Sequence, residues 1–294
     1  MSTRKASHAG SWYSDNGKEL NKQLENWLKC FETLSGPARA IISPHAGYRY
    51  CGVTAGCAFR QINPDLVKRV FILGPSHNVR LGDCALSPHT KYATPLYDLI
   101  IDTQVYEELQ RTEAFEWMSE ETDREEHSIE MQLPFIAKVF ESKKDKFTIV
   151  PILVGSLTPD KEAEYGRILH KYLASPENLF VISSDFCHWG QRFRYTYTDK
   201  LGGDIFQSIQ RLDKQGMDII ESMEPTHFTE YLKRFGNTIC GRHPIGVLLN
   251  MIYDFRRLDS PKLSLKFLHY AQSSQCRHPD DSSVSYAAAS LSIL

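Results

Sequence analysis

Three apolar runs in this chain each stop at a histidine. Residues 39–50 read RAIISPHAGYRY, residues 68–79 read KRVFILGPSHNV and residues 179–189 read LFVISSDFCHW. They deliver His45, His77 and His188. Buried parallel strands read as near-continuous apolar runs, and open α/β sheets place their ligand site beyond the carboxyl ends of the strands. Taken singly, each histidine fits a turn residue bonded to backbone. Three strand ends that each carry an imidazole argue for one shared polar site.

The rest of the chain alternates in the way such a sheet needs. Residues 18–30 set Leu20, Leu24 and Leu28 four apart, a helical stripe. A strand is expected at 39–43, a small-residue helix at 51–62, and strands at 70–73 and 84–87. Residues 127–140 read as a helix bent at Pro134, and 147–154 as a strand that Pro151 marks as an edge or a bulge. A helix at 160–173 and a strand at 179–183 follow. Residues 200–235 read as mostly helical, with breaks at Gly202, Gly203 or Gly216. A helix at 244–255 and late strands at 263–270 and 283–292 complete the pattern. Strands alternating with helices predict a single α/β domain over residues 1–294. It would be a three-layer sandwich around a central mixed, mostly parallel sheet.

Composition narrows the partners. With 34 basic against 36 acidic side chains among 294 residues, there is no basic excess for a phosphate backbone, so nucleic acid is not expected. No run of about 18 apolar residues predicts a membrane span, and the first residues lack the apolar core of a signal peptide. Seven scattered cysteines without a C-x-x-C pair point to a reduced, cytoplasmic or nuclear setting.

Around the histidines lie further candidates. Asp185 shares SSDFCH with His188. Cys240 precedes the helix of residues 244–255 and neighbours Arg242, a setting that should ease its ionisation. Imidazole and thiolate donors suit iron, copper or zinc rather than magnesium or calcium. Trp12, Tyr50 and Trp189 lie close to these segments and could wall a pocket or a peptide groove; core packing is the plainer fate of aromatics. His127 and Glu130 fall three apart on one helical face and read as mainly structural. There is no HExxH, no P-loop and no GxGxxG after a strand, and Gly74-Pro75-Ser76-His77-Asn78 lacks the last glycine of a nucleophile elbow.

Longer motifs carry a resemblance. HAGSWY (8–13), PHAGYRYCG (44–52), ILGPSH (72–77), EHSIEMQLPF (126–135), SSDFCHWG (183–190), TICGRHPIGVLL (238–249) and AQSSQCR (271–277) resemble the Memo family, mediators of ErbB-driven cell motility. The family is similar in fold to class III non-haem iron extradiol dioxygenases. The resemblance implies His45 and His77 as metal ligands and His188 as acid/base, with Asp185 nearby. It sets Cys240 where those enzymes carry a glutamate ligand. A thiolate is softer and oxidisable, which counts against ring cleavage of a catechol and leaves metal-dependent oxidoreductase activity open. The implied cofactor is iron or copper. The implied roles are redox chemistry and signalling, through phosphotyrosine receptor peptides, signalling adaptors and the cytoskeleton. A catalytically inactive dioxygenase-like cleft turned phosphotyrosine-peptide binding module is the competing expectation, and an active extradiol-type dioxygenase is the third.

Overall fold

The computed structural model describes residues 2–34 and 36–294. A two-residue strand, β1 (Thr3–Arg4), precedes helix α1 (Gly17–Lys29). The Asn16 side chain starts α1 by accepting the N–H groups of Lys18 and Glu19, donors that a helix start cannot satisfy internally. Strand β2 (Ala38–Ser43) leads through Pro44-His45-Ala46-Gly47 into α2 (Tyr48–Phe59). Next come β3 (Arg69–Pro75), β4 (Cys84–Leu86), β5 (Lys91–Tyr92), β6 (Leu99–Ile100), α3 (Thr103–Gln110) and β7 (Phe115–Trp117). Three short helices, α4 (Glu120–Glu125), α5 (His127–Glu130) and α6 (Leu133–Val139), lead to β8 (Thr148–Val154), α7 (Pro159–Ala174) and β9 (Asn178–Ser183). The last third holds β10 (His188–Trp189), α8 (Ile205–Glu221), α9 (Pro225–Phe235), α10 (Arg242–Asp259), β11 (Leu263–Gln272) and β12 (Ser283–Ile293).

The main sheet runs β10-β12-β2-β9-β3-β8-β4-β7, with β11 on the other side of β12. Its four central strands, β2, β9, β3 and β8, are parallel. Antiparallel pairings flank them, β12 on β2 and β4 on β8. The sheet is therefore mixed, with its parallel part at the centre. Helix α2 packs on β2, β11 and β12 with α1 beside it, while α7 and α10 pack together against β9 and β3. Buried on both faces, the central strands carry almost no polar residue before their ends. Phe71 on β3 lies in register with Phe180 on β9, and their rings stack at 4.7 Å. Burying each such ring stabilises the fold by about 1.5–3 kcal/mol. Among the described residues no helix is long and apolar enough to cross a membrane.

Three boundaries differ from the sequence expectations. The helix of residues 127–140 divides at Met131 and Gln132, before Pro134, which takes an early position of α6 where its missing N–H costs nothing. Strand β8 is interior, not an edge: β3 pairs along all of it. On its other side β4 reaches only Ile152–Val154 and Ile101 bridges Ile149. Pro151 falls in the gap between them, so no neighbour there needs an N–H. Finally, Gly216 does not break α8. It sits within the helix because a Cβ there would come 3.0 Å from the Tyr231 ring, and the real break lies between Glu221 and Pro225.

Candidate functional site

Strands β2, β9 and β3 are neighbours and run the same way, so their carboxyl ends lie side by side. That geometry carries His45, Asp185 with His188, and His77 to one edge of the sheet. Each imidazole is then fixed by a specific partner. Ser183, the last residue of β9, gives its hydroxyl proton to the Ser128 carbonyl (2.7 Å) and accepts from the Gln132 amide (2.9 Å). Its remaining lone pair accepts Nδ1–H of His45 (2.8 Å). The Nε2 of His45 thus keeps its lone pair. In the same way Glu126 accepts the His77 backbone N–H (2.7 Å) and its Nδ1–H (2.9 Å), and a carboxylate can only accept. The Nδ1 of His188 lies 2.8 Å from the Phe186 carbonyl and 3.0 Å from that of Thr238. It must also be the protonated nitrogen, leaving Nε2 as the free one.

A third imidazole that the sequence reading set aside as structural joins His45 and His77. His127 stacks on His77 with ring centroids 4.4 Å apart and lies 5.4 Å from His45. One ligand nitrogen from each of His45, His77 and His127 fits within a mutual 4.8 Å, close enough to hold a metal ion. Two glycines make the approach possible. A Cβ on Gly74 would sit 2.5 Å from Ser128 Oγ, and one on Gly241 would sit 2.4 Å from Ser184 Cβ. The first lets α5 close on β3; the second lets the loop before α10 close on the end of β9.

That second approach brings Cys240 into contact. Its Sγ lies 3.1 Å from His45 Nε2 and accepts the Asp185 N–H at 3.2 Å. Asp185 in turn accepts the His45 N–H at 2.9 Å. Burial dominates the electrostatics. It holds His45 and His127 well toward the neutral form, and the neighbouring imidazoles push both further the same way. Burial also raises Asp185, against the pull of His188. Burial would raise Glu126 too, but its bonds to His77 hold it below the usual carboxylate range. The thiol of Cys240 is pushed up, by burial first and by Asp185 second. The expected easing of its ionisation is therefore reversed: Arg242 is exposed and its charge acts on Glu162 instead. With imidazole and thiol both neutral, the pair reads as S–H donating to Nε2.

The aromatic candidates separate. Trp12 is 37% exposed and packs on His127 at 4.5 Å. Tyr50 is 49% exposed, under the Arg49 guanidinium. Both line a cleft of about 740 Å³ with Trp27 and Asp15. Trp189 does not wall any groove: it is 2% exposed, and its indole N–H donates to the Tyr197 carbonyl. Glu130 is not part of the His45, His77 and His127 cluster. It is fully buried and accepts from Arg4, His8 and Tyr13, tying residues 4–13 beside the site. Sequence reasoning missed Glu126, Ser183 and the placement of His127. The signal for two of these was the Glu126-His127 pair directly ahead of Ser128-Ile129-Glu130.

A mixed α/β sheet at whose parallel strand ends three imidazoles come close enough to hold a metal ion, beside a thiol and a carboxylate, defines a protein with a preformed, metal-competent histidine cluster. The Memo-like protein family model matches residues 4–290. Protein MEMO1 of Danio rerio is 60% identical over 291 residues, covering 99% of this chain and 98% of its own. Protein MEMO1 of Homo sapiens is 59% identical, covering 99% and 97%, and the memo-1 homolog of Caenorhabditis elegans is 52% identical, covering 97% and 81%. Among solved structures, an uncharacterized protein of Escherichia coli K12 aligns with a TM-score of 0.49 at 11% identity, covering 84% of this chain and 98% of that one. The chain belongs to the Memo family.

Proposed function

We propose that this protein is a metal-binding redox protein, with iron or copper held by His45, His77 and Cys240. His127 completes the imidazole wall, and Asp185 and His188 carry protons beside it. The observation that supports this reading most is the tautomer pattern: Ser183 and Glu126 each take an Nδ1–H, which leaves Nε2 lone pairs on His45 and His77. Metal-binding histidines are oriented in this way by a partner on the other ring nitrogen. The nitrogen and sulfur donor set fits iron or copper, which would supply one-electron chemistry there. Without metal, the Cys240 proton rests between sulfur and His45 Nε2, so loading would release it. The signalling side of the proposal, in cell motility, invasive growth and cytoskeletal control from the cytoplasm or nucleus, follows from the family reading rather than from the geometry.

The deciding experiment is elemental analysis of protein purified anaerobically without a metal-affinity tag, beside Cys240→Ser and His45→Ala. About one equivalent of iron or copper in the wild type, lost in both variants, is the expected result. No metal in the wild type even after reconstitution would end the proposal.

One observation favours a second reading. The cleft at Trp12 and Tyr50 is large, open and directly beside His127, which suits a peptide-binding module for phosphotyrosine segments or adaptors. Peptide affinity unchanged in His45→Ala and Cys240→Ser but lost in Trp12→Ala would support it and separate it from the metal.

A further inference from the structure

The N-terminal strand lies outside the central sheet. β1 pairs instead with β5, and β5 with β6, in a separate three-stranded sheet. What that small sheet presents is Arg4. Its guanidinium is 2% exposed and lies over the ring of Tyr92, its register partner on β5. A guanidinium has five N–H groups, and here each has an acceptor. Nε donates to the Asp123 carbonyl (2.7 Å). Nη1 donates to the Lys5 carbonyl (3.0 Å) and to Glu130 Oε2 (2.7 Å). Nη2 donates to the carbonyls of Arg124 (3.3 Å) and Glu126 (2.8 Å).

Three of these acceptors are carbonyls at the end of α4, where a helix cannot satisfy its own oxygens. The Glu126 carbonyl matters most, because it belongs to the peptide unit that joins Glu126 to His127. Glu126 is extended, with φ −76° and ψ 127°, and it both ends α4 and caps α5. A peptide unit is planar, so a held carbonyl sets the Cα of both residues at once. One of these Cα atoms carries the carboxylate that accepts His77 Nδ1–H. The other carries the imidazole that stacks on His77. A strand far from the histidines in sequence thus holds the one peptide unit that delivers two groups to them.

We infer that Arg4 is a positioning residue of the histidine site, acting through the Glu126–His127 peptide to hold both side chains against His77. Its consequence for metal affinity rests on the metal reading above; its geometry does not. Lysine cannot substitute, because an ammonium is a compact point charge with three donors and cannot span Glu130 and three carbonyls together.

The test uses the full chain with Arg4→Lys and Arg4→Ala. In the metal-free protein, the ring 15N signals of His77 report whether Nδ1 stays protonated against Glu126. They should move in both variants, and methylguanidinium, which fits the space that Arg4→Ala opens, should restore them there. Cobalt(II), a spectroscopic probe of the site, should bind about tenfold or more weakly in both variants, with recovery of Arg4→Ala by methylguanidinium. Leu173→Ala controls for stability alone. Leu173 is fully buried in α7, and its carbonyl accepts from Arg39 near the start of β2, at the opposite edge of the sheet. That variant should melt lower yet bind cobalt(II) as the wild type does. Unchanged His77 signals in both Arg4 variants would overturn the inference, as would an equal loss of cobalt(II) affinity in Leu173→Ala. Wild-type protein that takes up no cobalt(II) would count against the metal reading alone, and the His77 signals would still decide the role of Arg4.

Discussion

Replacing Glu126 by glutamine tests whether the carboxylate sets the chemistry of His77 or merely fills space. Its two oxygens accept three N–H groups: the His77 backbone (2.7 Å), His77 Nδ1 (2.9 Å) and the Ser128 backbone (2.9 Å). An amide of the same shape offers one oxygen and one NH2. If the oxygen faces Nδ1 and Ser128, the NH2 opposes the His77 backbone N–H. If the amide turns, its NH2 opposes the Ser128 N–H, and His77 must move its proton to Nε2 to accept on Nδ1. Either way a charge-assisted bond is lost and a buried donor goes unmet, a cost of about 3 kcal/mol. For a chain of this size that lowers the melting temperature by roughly 5–10 °C. The second arrangement also withdraws the Nε2 lone pair, and metal affinity should fall about 10–100-fold. Urea unfolding reads the first effect, ring 15N shifts of His77 the tautomer, and a metal competition titration the affinity. A Glu126→Gln variant within about 0.5 kcal/mol of wild type, with His77 still protonated on Nδ1, would refute the reasoning.

Gly241→Ala should push the loop before α10 off the end of β9, since the new Cβ would meet Ser184 at 2.4 Å. An overpacking cost of about 1–3 kcal/mol should accompany faster labelling of Cys240 by a thiol reagent; unchanged labelling would count against that close approach. Glu130 is held at about 2, since its bonds to His8 and the nearby Arg4 charge outweigh the upward push of burial. Its folded value lies below the unfolded one, so its stabilisation, about 3 kcal/mol, is complete above pH 4.5 or so and fades as pH falls toward 2. Glu130→Gln should lose stability at pH 7 and show a flatter acid limb in urea melts, whereas parallel limbs would show another group to be responsible. Trp189→Ala should cost about 3–5 kcal/mol as a core cavity and Trp12→Ala less than 1 kcal/mol or so; comparable losses in thermal melts would contradict the assigned burial.

The central fold was legible because burial on both faces leaves a plain signature: an unbroken apolar run bounded by turn residues. β2, β3, β8 and β9 all show it. The short strands β5, β6 and β7 do not. Two or three residues carry no periodicity, and only their partners make them strands. The break at Gly202 and Gly203 holds, since α8 begins just after them, but the one at Gly216 was misplaced for a related reason. A glycine such as Gly216 reads as a flexible point, but in the fold it is a contact point for Tyr231, and only packing separates the two uses.

The site was legible where it depends on chain direction and hidden where it depends on packing. Parallel neighbours put their carboxyl ends along one edge, so His45, His77 and the segment of Asp185 and His188 could be grouped without knowing the strand order. His127 follows no strand. It comes from α5, and α5 reaches β3 only because Gly74 has no side chain, a fact with no sequence signature of its own. Trp189 is the opposite case. It was grouped with His188 by proximity, yet both lie in β10, where adjacent side chains point to opposite faces; if one reaches the cleft, the other belongs to the core. Cys240 shows how a rule fails when one term is left out. A helix start and a neighbouring arginine favour a thiolate, but that field is modest near water, and Arg242 turns outward. Removing the sulfur from water opposes ionisation more strongly than either promotes it. On the proposed reading a metal ion would supply the missing positive charge, and the Cys240 thiol, held protonated by burial, would ionise on loading.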